Sequence, residues 1–181
     1  MRSEAFVPTS SFEAGDLPRR AVSDGQSLSP DDPAIHVITD FTREQPVTVD
    51  PDCQIDDALN DMIRFGVRAL LVLKDQRVVG LITSYDIQGE RPIQFLQSSN
   101  YSHHSDIRVS HVMTPWPALK AVTWNAIQSM RAGDLLRLVE EAGLTHLIVV
   151  DADRTHSTCT IRALVSRARL TRQIKGMRRA G

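Results

Sequence analysis

Thr83 and Asp86 lie three positions apart, where an apolar stretch ends and a helix is predicted to begin. The free backbone N–H groups and the dipole of a helix N-terminus favour a phosphate group there. A carboxylate one turn into such a helix can accept hydrogen bonds from two neighbouring hydroxyl groups. The same spacing is also close to a capping box, in which the two side chains only stabilise the helix terminus. The sequence leaves both interpretations open.

Arg68 and His146 are two further polar residues at the start of predicted strands. The planar guanidinium of arginine suits a phosphate, and a histidine can donate a hydrogen bond to one. Arg68 can equally be a surface strand residue, and His146 can satisfy a buried polar position. Both are therefore candidates for an anion contact, with the structural alternatives open.

These candidates belong to a chain in which three stretches occur twice in the same order. One begins at His36 and returns 75 positions later, one contains Gly66 and returns 77 positions later, and one begins at Gly80 and returns 83 positions later. Two copies of one small unit are expected to pack together, because neither buries its apolar face well alone. A cleft between the copies is then the expected place for a ligand.

Each copy is predicted to have the order β-α-β-β-α. The apolar helix faces are Ile55, Ala58, Leu59, Met62 and Ile63 in the first copy and Leu135, Leu138, Val139 and Ala142 in the second. In the first copy the extended segment is 46–49, Gly66 ends the helix, the strands are 67–73 and 78–83, and the last helix is 84–88. In the second copy the extended segment is 116–119, Gly143 ends the helix, the strands are 144–151 and 160–166, and the last helix is 167–175.

Composition divides the chain into five segments. Residues 1–32 are rich in Ser, Pro, Asp and Gly, and they are expected to form a mobile arm because they cannot bury enough apolar surface to offset their ordering entropy. The first unit is placed at 33–90 and the second at 108–176. A polar connector with one helical turn at 93–96 occupies 91–107, and a basic tail occupies 177–181.

The order of elements and the repeated motifs resemble the CBS (cystathionine-beta-synthase) domain pair, or Bateman module, over residues 34 to 175. The motifs are the Ile-Thr and Met-Thr lead-ins, the Gly-Val-Arg-Ala-Leu-Leu-Val segment from Gly66, and the Gly-Leu-Ile-Thr-Ser-Tyr-Asp segment from Gly80. From Gly133 onward the chain is similar to a bacterial group in which the pair stands alone. The resemblance implies an α+β fold, in which a tandem pair of β-α-β-β-α units packs with pseudo-two-fold symmetry.

The resemblance also implies that an adenosine-containing ligand (AMP, ADP, ATP or S-adenosylmethionine) binds between the units, with no obligatory cofactor. The residues that it assigns to the nucleotide are Val47, Thr48, Arg68, Ala69, Thr83, Ser84 and Asp86. A second, altered half-site comprises Thr114, Ala118, His146, Ser166 and Arg169. In the second copy Ala163 replaces Gly80, a small change, whereas Arg169 replaces Asp86 and cannot accept hydrogen bonds from ribose. One competent site, on Thr83 and Asp86, is therefore expected.

Composition restricts the class of protein. The chain is 41% hydrophobic and 24% charged, as in ordinary soluble domains, and no apolar run approaches the roughly 20 residues of a membrane span. Cys53 and Cys159 lie far apart and are expected to be reduced thiols of a cytoplasmic protein. Neither a catalytic constellation nor a metal-binding histidine pair is recognised, so a protein that is not an enzyme and holds no metal is predicted.

Two functions remain. The first is a regulatory module that senses an adenine nucleotide and biases the state of a partner protein. The second is a ligand-free dimerisation or scaffold module with degenerate sites. Thr83, Asp86 and Arg68 favour the first, and Arg169 favours the second.

Residues 161–181 contain seven basic residues and no acid. This charge suggests a contact with phosphate or with another subunit, or alternatively a solvated helix face. Nucleic acid is not expected to bind there, because the segment has no aromatic residue for stacking. A homodimer through the helices is predicted, with Phe65, Phe95, Leu170 and Ile174 as candidate contact residues.

Overall fold

The computed structural model describes residues 28–101, 103–152 and 159–175. Within these ranges the chain forms eight strands and seven α-helices. The strands are β1 (Thr39–Asp40), β2 (Thr48–Val49), β3 (Ala69–Lys74), β4 (Arg77–Thr83), β5 (Thr114–Pro115), β6 (Ala121–Thr123), β7 (His146–Ala152) and β8 (Cys159–Ser166). The helices are α1 (Ile55–Phe65), α2 (Ser84–Gln88), α3 (Arg91–Ser98), α4 (Val109–Val112), α5 (Trp124–Ser129), α6 (Ala132–Glu141) and α7 (Arg167–Lys175).

The strands form two four-stranded sheets, with orders β2-β3-β4-β5 and β1-β8-β7-β6. In each sheet one parallel pair, β2 with β3 or β6 with β7, adjoins an antiparallel hairpin. Both hairpins have a register irregularity at the same place, after Val72 and after Val149. Gly66 and Gly143 both end a helix segment with positive φ angles of 67° and 64°, a conformation that glycine adopts without steric cost. The predicted α+β tandem pair is confirmed.

The two repeats exchange their lead-in segments. The first lead-in, β1, pairs with β8 of the second repeat, where Thr39 lies opposite Leu164. The second lead-in, β5, pairs with β4 of the first repeat, where Thr114 lies opposite Leu81. Each sheet is therefore completed by the other repeat, and neither sheet has its full set of strands without both repeats.

The core has three parts. One lies between the first sheet and its helices, and another lies between the second sheet and its helices. The third lies between the two sheets, around Leu71, Leu81, Ile148 and Val150. Alternation along a strand produces this arrangement, because successive side chains point to opposite faces. Each apolar side chain fully buried in this way contributes about 1.5 to 3 kcal/mol.

The second repeat departs from the predicted elements in two places. Trp116–Ala118 is a 3₁₀ turn, and the strand lies later, at Ala121–Thr123, so the extended segment predicted at 116–119 is wrong. Pro117 explains the difference, because it lacks the N–H that a paired strand needs. The buried face of α6 consists of Ala132, Leu135, Leu136 and Val139. Leu138, placed on the apolar face by its spacing, is 38% exposed.

The connector is more structured than predicted. Instead of one turn at 93–96, it contains the two-turn helix α3 at Arg91–Ser98 and a 3₁₀ turn at His104–Asp106. Within the predicted arm, residues 28–32 contact the second repeat. Leu28 is buried in its core, and the N–H of Gly133 donates to the carbonyl of Pro30 at 2.8 Å. The predicted basic tail at 177–181 and the remainder of the arm, 1–27, lie outside the described residues.

Gly80 and Ala163 are less interchangeable than the sequence suggests. A Cβ atom on Gly80 would lie 2.7 Å from the carbonyl oxygen of Thr114 and 2.8 Å from the sulfur of Met113. Ala163, at the same place in the other sheet, is fully buried opposite Asp40. The expectation of a small change is therefore wrong, because β5 approaches β4 too closely for a side chain at position 80.

Candidate ligand cleft between the repeats

The Thr83 and Asp86 pair forms a complete capping box at the start of α2. The backbone N–H and the hydroxyl of Thr83 donate to Oδ2 of Asp86 at 2.8 and 2.7 Å, and the N–H of Asp86 donates to the Thr83 hydroxyl at 3.2 Å. Thr83 itself is buried. The structural interpretation of this motif is therefore realised in the molecule.

Arg91 forms an ion pair with the other oxygen of the Asp86 carboxylate. Its Nη1 atom lies 2.9 Å from Oδ1 of Asp86, and it also donates to the carbonyl of Val112 at 2.7 Å and to the hydroxyl of Thr114 at 3.2 Å. Arg91 therefore joins the start of α3 to the lead-in of the second repeat and to the cap of α2.

Asp86 has little remaining capacity for a ligand. A carboxylate offers about four lone-pair positions, and three of them are used by Thr83 and Arg91. The side chain of Asp86 is only 13% exposed. One ribose hydroxyl can be accepted as the site stands, and a bidentate ribose contact requires Arg91 to move.

Arg169 takes the corresponding position in the second repeat. Its Nη1 atom donates to the hydroxyl of Thr39 at 2.9 Å. Thr39 is the repeat counterpart of Thr114, so a lead-in threonine accepts from an arginine in both halves. The difference is that the second half has no carboxylate at this position.

A cleft of about 290 Å³ lies between the repeats and draws its walls from both. The first repeat contributes Arg68 and Tyr85. The second contributes the ends of β7 and β8 and one side of α7, with Thr145, His146, Ser166, Arg167, Thr171 and Arg172 among the lining residues. None of the described residues that line the cleft is acidic.

His146 lies in this cleft opposite Ser166 in the β7–β8 pair. Burial of the imidazole lowers the pKa of His146 to about 4; Asp86 opposes the shift and Arg167 adds to it. The imidazole is therefore neutral at pH 7 and offers one N–H donor and one acceptor. The positive charge of the cleft comes from its arginines.

The cleft unites three of the residues assigned from sequence, namely Arg68, His146 and Ser166. Ala69 and Thr83 lie opposite each other in the first hairpin, where Ser84 donates its N–H to the Arg68 carbonyl. Val47 accepts from Leu71, and Thr48 lies beside that strand in β2. The assigned residues that do not line the cleft are Val47, Thr48, Ala69, Thr83, Ser84, Asp86, Thr114, Ala118 and Arg169.

The exchanged lead-ins alter how the second set groups. Thr114 lies with Arg91 and Asp86 of the first repeat, and Thr39 lies with Arg169 of the second. Ala118 ends the 3₁₀ turn before β6. The sequence assignment placed Thr114 with Arg169, because it grouped residues by repeat and not by sheet.

Sequence reasoning missed six of the lining residues, which are Tyr85, Thr145, Arg167, Ala168, Thr171 and Arg172. A signal for the arginines was present, because the basic run after Ile161 suggested a phosphate contact. It did not identify which arginines face the cleft. That depends on the direction of α7, which begins at Arg167 directly after the cleft residue Ser166.

Other chemistry has little support in the described part of the chain. No group of three His, Cys, Asp or Glu residues converges there on a possible metal position. His104 of the connector lies 3.4 Å from Asp56. Burial, together with nearby aspartates, raises the pKa of the Cys53 thiol, which makes it a poor nucleophile. No helix among the described residues has the length and apolarity needed to span a bilayer.

The chain resembles known proteins in one family match and in its fold. Residues 37–91 match the CBS domain family, and no curated protein matches the chain. An uncharacterised conserved protein from Pyrococcus horikoshii is similar at 21% identity, covering 85% of this chain and 98% of its own, with a TM-score of 0.55. Solved structures at this level of identity establish the fold.

Two further similar structures contain nucleotides. CBSX2 in complex with AMP is 26% identical, covering 82% of this chain and 99% of its own, with a TM-score of 0.52. The CBS domain of the bacterial CNNM/CorC family Mg²⁺ transporter in complex with ATP is 17% identical, covering 81% of this chain and 89% of its own, with a TM-score of 0.53. The family match identifies residues 37–91 as a CBS domain, and the two exchanged sheets and these neighbours show that the chain has the fold of a CBS-domain pair.

Proposed function

We propose that the chain is a regulatory module that binds an adenine nucleotide between its two CBS units. The observation that supports this most is the cleft itself. Its walls come from both repeats, and its described lining residues include three arginines and no acid. A ligand that binds one arrangement of the two repeats more tightly than another shifts the population toward that arrangement. Such a shift can change the state of a partner protein. CBSX2 with AMP and the transporter domain with ATP support an adenine nucleotide as the ligand class.

The proposal includes the division of the chain into units at 33–90 and 108–176, joined by 91–107. It also holds that the module acts in the cytoplasm, catalyses no reaction itself and works by contact with a regulated protein. The first half-site, on Thr83 and Asp86, is the candidate for ribose, and the cleft with Arg68 and His146 is the candidate for phosphate.

A second function, a ligand-free dimerisation or scaffold module, is favoured by two contacts. Arg169 is bonded to Thr39, and Asp86 is bonded to Thr83 and Arg91. The second half thus has no acceptor for ribose, and most of the acceptor positions of Asp86 in the first half are used by the protein's own side chains. Exposed apolar residues on the helices, Ile63 and Phe65 of α1, could then serve association alone.

Association through helices is also part of the regulatory proposal, and its surface differs from the predicted one. Leu170 and Ile174 are buried in the second core, so these two candidates are wrong. Phe95 is half-buried against the first core and stays a candidate. Phe65 is 53% exposed and Ile63 is 72% exposed. We place the homodimer contact on α1.

Calorimetric titration of the purified protein with AMP, ADP, ATP and S-adenosylmethionine separates the two functions. Binding of one ligand, weakened by Arg68→Gln, supports the sensor. The matched control is Arg77→Gln. Arg77 is an exposed arginine at the start of β4, the hairpin partner of β3, and it does not line the cleft. Absence of binding by all four ligands would favour the scaffold.

A further inference from the structure

The lining of the cleft carries an excess of positive charge. Arg68, directly before β3, and Arg167 and Arg172 of α7 line it, and no described lining residue is an acid. Asp86, next in sequence to the lining residue Tyr85, is already paired with Thr83 and Arg91. The charge of the three guanidinium groups is therefore left for a ligand to neutralise.

The second repeat lacks the carboxylate that would hold ribose. Arg169 stands in its place and is bonded to Thr39. A guanidinium has donors but no acceptor, so it cannot accept a hydrogen bond from a ribose hydroxyl. The interactions that would distinguish a nucleoside from a simple anion are reduced accordingly.

The size of the cleft also favours a partial ligand. Its volume of about 290 Å³ is at the small end of ligand sites, which commonly span about 300 to 1,000 Å³. A nucleoside triphosphate is expected to be enclosed only in part. The enclosed part is the one with the highest negative charge, because it gains most from three nearby cations.

We infer that the phosphate chain supplies most of the affinity of this cleft for its ligand, so that ATP, GTP and inorganic triphosphate bind with similar affinity. The inference rests on the proposed function, since it takes the cleft as the nucleotide site. Arginine forks bind phosphate oxygens in pairs. Affinity therefore follows the number of phosphates, with AMP weaker than ATP. S-adenosylmethionine is disfavoured because its sulfonium is a cation.

The test is a calorimetric comparison of ATP, GTP, inorganic triphosphate, AMP and adenosine in magnesium-free buffer at low salt. We expect the first three to bind within about tenfold of one another, AMP to be weaker by at least about tenfold, and adenosine not to bind, since removal of one charge-assisted hydrogen bond weakens binding by about a factor of ten or more. Arg172→Gln should weaken inorganic triphosphate by a similar factor. Arg77→Gln, the exposed control outside the cleft, should not.

Each other outcome is decisive. If ATP binds but inorganic triphosphate does not, or if AMP binds as tightly as ATP, the inference is wrong while the proposed function stands. If Arg172→Gln and Arg77→Gln weaken inorganic triphosphate equally, the binding is general surface attraction and the inference fails. If none of the five ligands binds, the inference fails, and the proposed function loses ATP and AMP as ligands.

Discussion

Arg169 and Thr39 meet across the exchanged lead-in, with the guanidinium donating to the hydroxyl at 2.9 Å although 130 positions separate them in sequence. This contact fills the second half-site from within the chain. In the first half, the same threonine position is bonded to Arg91, which also pairs with Asp86. The two halves therefore share a backbone plan and differ in the chemistry that each offers to a ligand.

Arg169→Asp should introduce nucleoside discrimination. The substitution removes the bond to Thr39 and supplies a carboxylate that can accept ribose hydroxyls. We expect AMP and adenosine to gain affinity relative to inorganic triphosphate by about tenfold, the value of one added hydrogen bond to a charged group. Calorimetry measures the ratio. Thr39→Val is the control, because it removes the same bond without adding a carboxylate, and an equal gain in both variants would contradict the prediction.

Asp86→Ala should destabilise the fold whether or not a ligand binds. It removes one side of the capping box on α2 and leaves Arg91 without its carboxylate. Loss of a cap costs about 0.5 to 2 kcal/mol, so the free energy of unfolding measured in urea should fall by about that amount. Thr83→Ser keeps the capping hydroxyl and should cost less. An unchanged stability of Asp86→Ala would show that the capping contacts are weak in solution.

Gly80→Ala should destabilise the first sheet. The added Cβ would lie 2.7 Å from the Thr114 carbonyl oxygen and close to the Met113 side chain, so β5 must shift away from β4. Overpacking of this kind costs about 1 to 3 kcal/mol. Thermal unfolding checks the value, with Ala163→Gly as the matched change in the other sheet. Full stability of Gly80→Ala would mean that β5 is not held against β4 as described.

Stability should fall as the pH drops from about 6.5 to about 4, because of His146. The unfolded chain takes up a proton on this residue near its ordinary pKa of 6.5, whereas burial lowers the pKa of His146 in the folded chain to about 4. Folding therefore excludes a proton in this interval, and the free energy of unfolding declines with pH by at most about 3 kcal/mol. Urea unfolding at several pH values measures the slope.

His146→Gln is the control for this pH effect. The glutamine cannot titrate, so the slope between pH 6.5 and 4 should flatten in the variant. An equal slope with and without His146 would contradict the assignment.

Asp40 contributes to the pH dependence of stability in a lower interval. Partial burial raises its pKa, but hydrogen bonds from Thr42 and the nearby Arg162 outweigh that effect, and the net pKa is lowered. The stability that the charged Asp40 contributes is therefore lost below pH 3.8, the ordinary pKa of an aspartate.

Ile63→Lys or Phe65→Lys should shift the protein from dimer to monomer. Both residues are exposed at the end of α1, and placing a charge in an apolar contact costs several kcal/mol. Sedimentation at tens of micromolar gives the oligomeric state. The control is Arg43→Ser, a polar change at an exposed residue in the loop after β1. A wild-type monomer at these concentrations would contradict the dimer.

The local elements were largely predictable, because their signals are local. The spacing of Ile55, Ala58 and Met62 marks the buried face of α1, and Gly66 and Gly143 mark where the helix segments end. The strands β3 and β4 follow from two apolar runs joined by a polar turn. Pattern reasoning fails at Trp116–Ala118, where a proline outweighs the apolar character of the segment.

The candidate site was predicted only in part, since it depends on contacts distant in sequence. The lead-ins form strands of two residues, too short to carry a pairing signal, so the exchange that brings Thr39 to Arg169 could not be read from periodicity. Thr83 and Asp86 fit two interpretations by spacing alone. Only the position of Arg91 shows that the carboxylate is already engaged.

The most direct test of the central claim is a crystal structure of the protein grown with saturating ATP. We predict that the nucleotide lies between the repeats, with its phosphates within hydrogen-bond distance of Arg68 from the first repeat and of Arg167 or Arg172 from the second. Density for ATP elsewhere, or an empty cleft at saturating ATP, would contradict the proposal that this cleft is the nucleotide site.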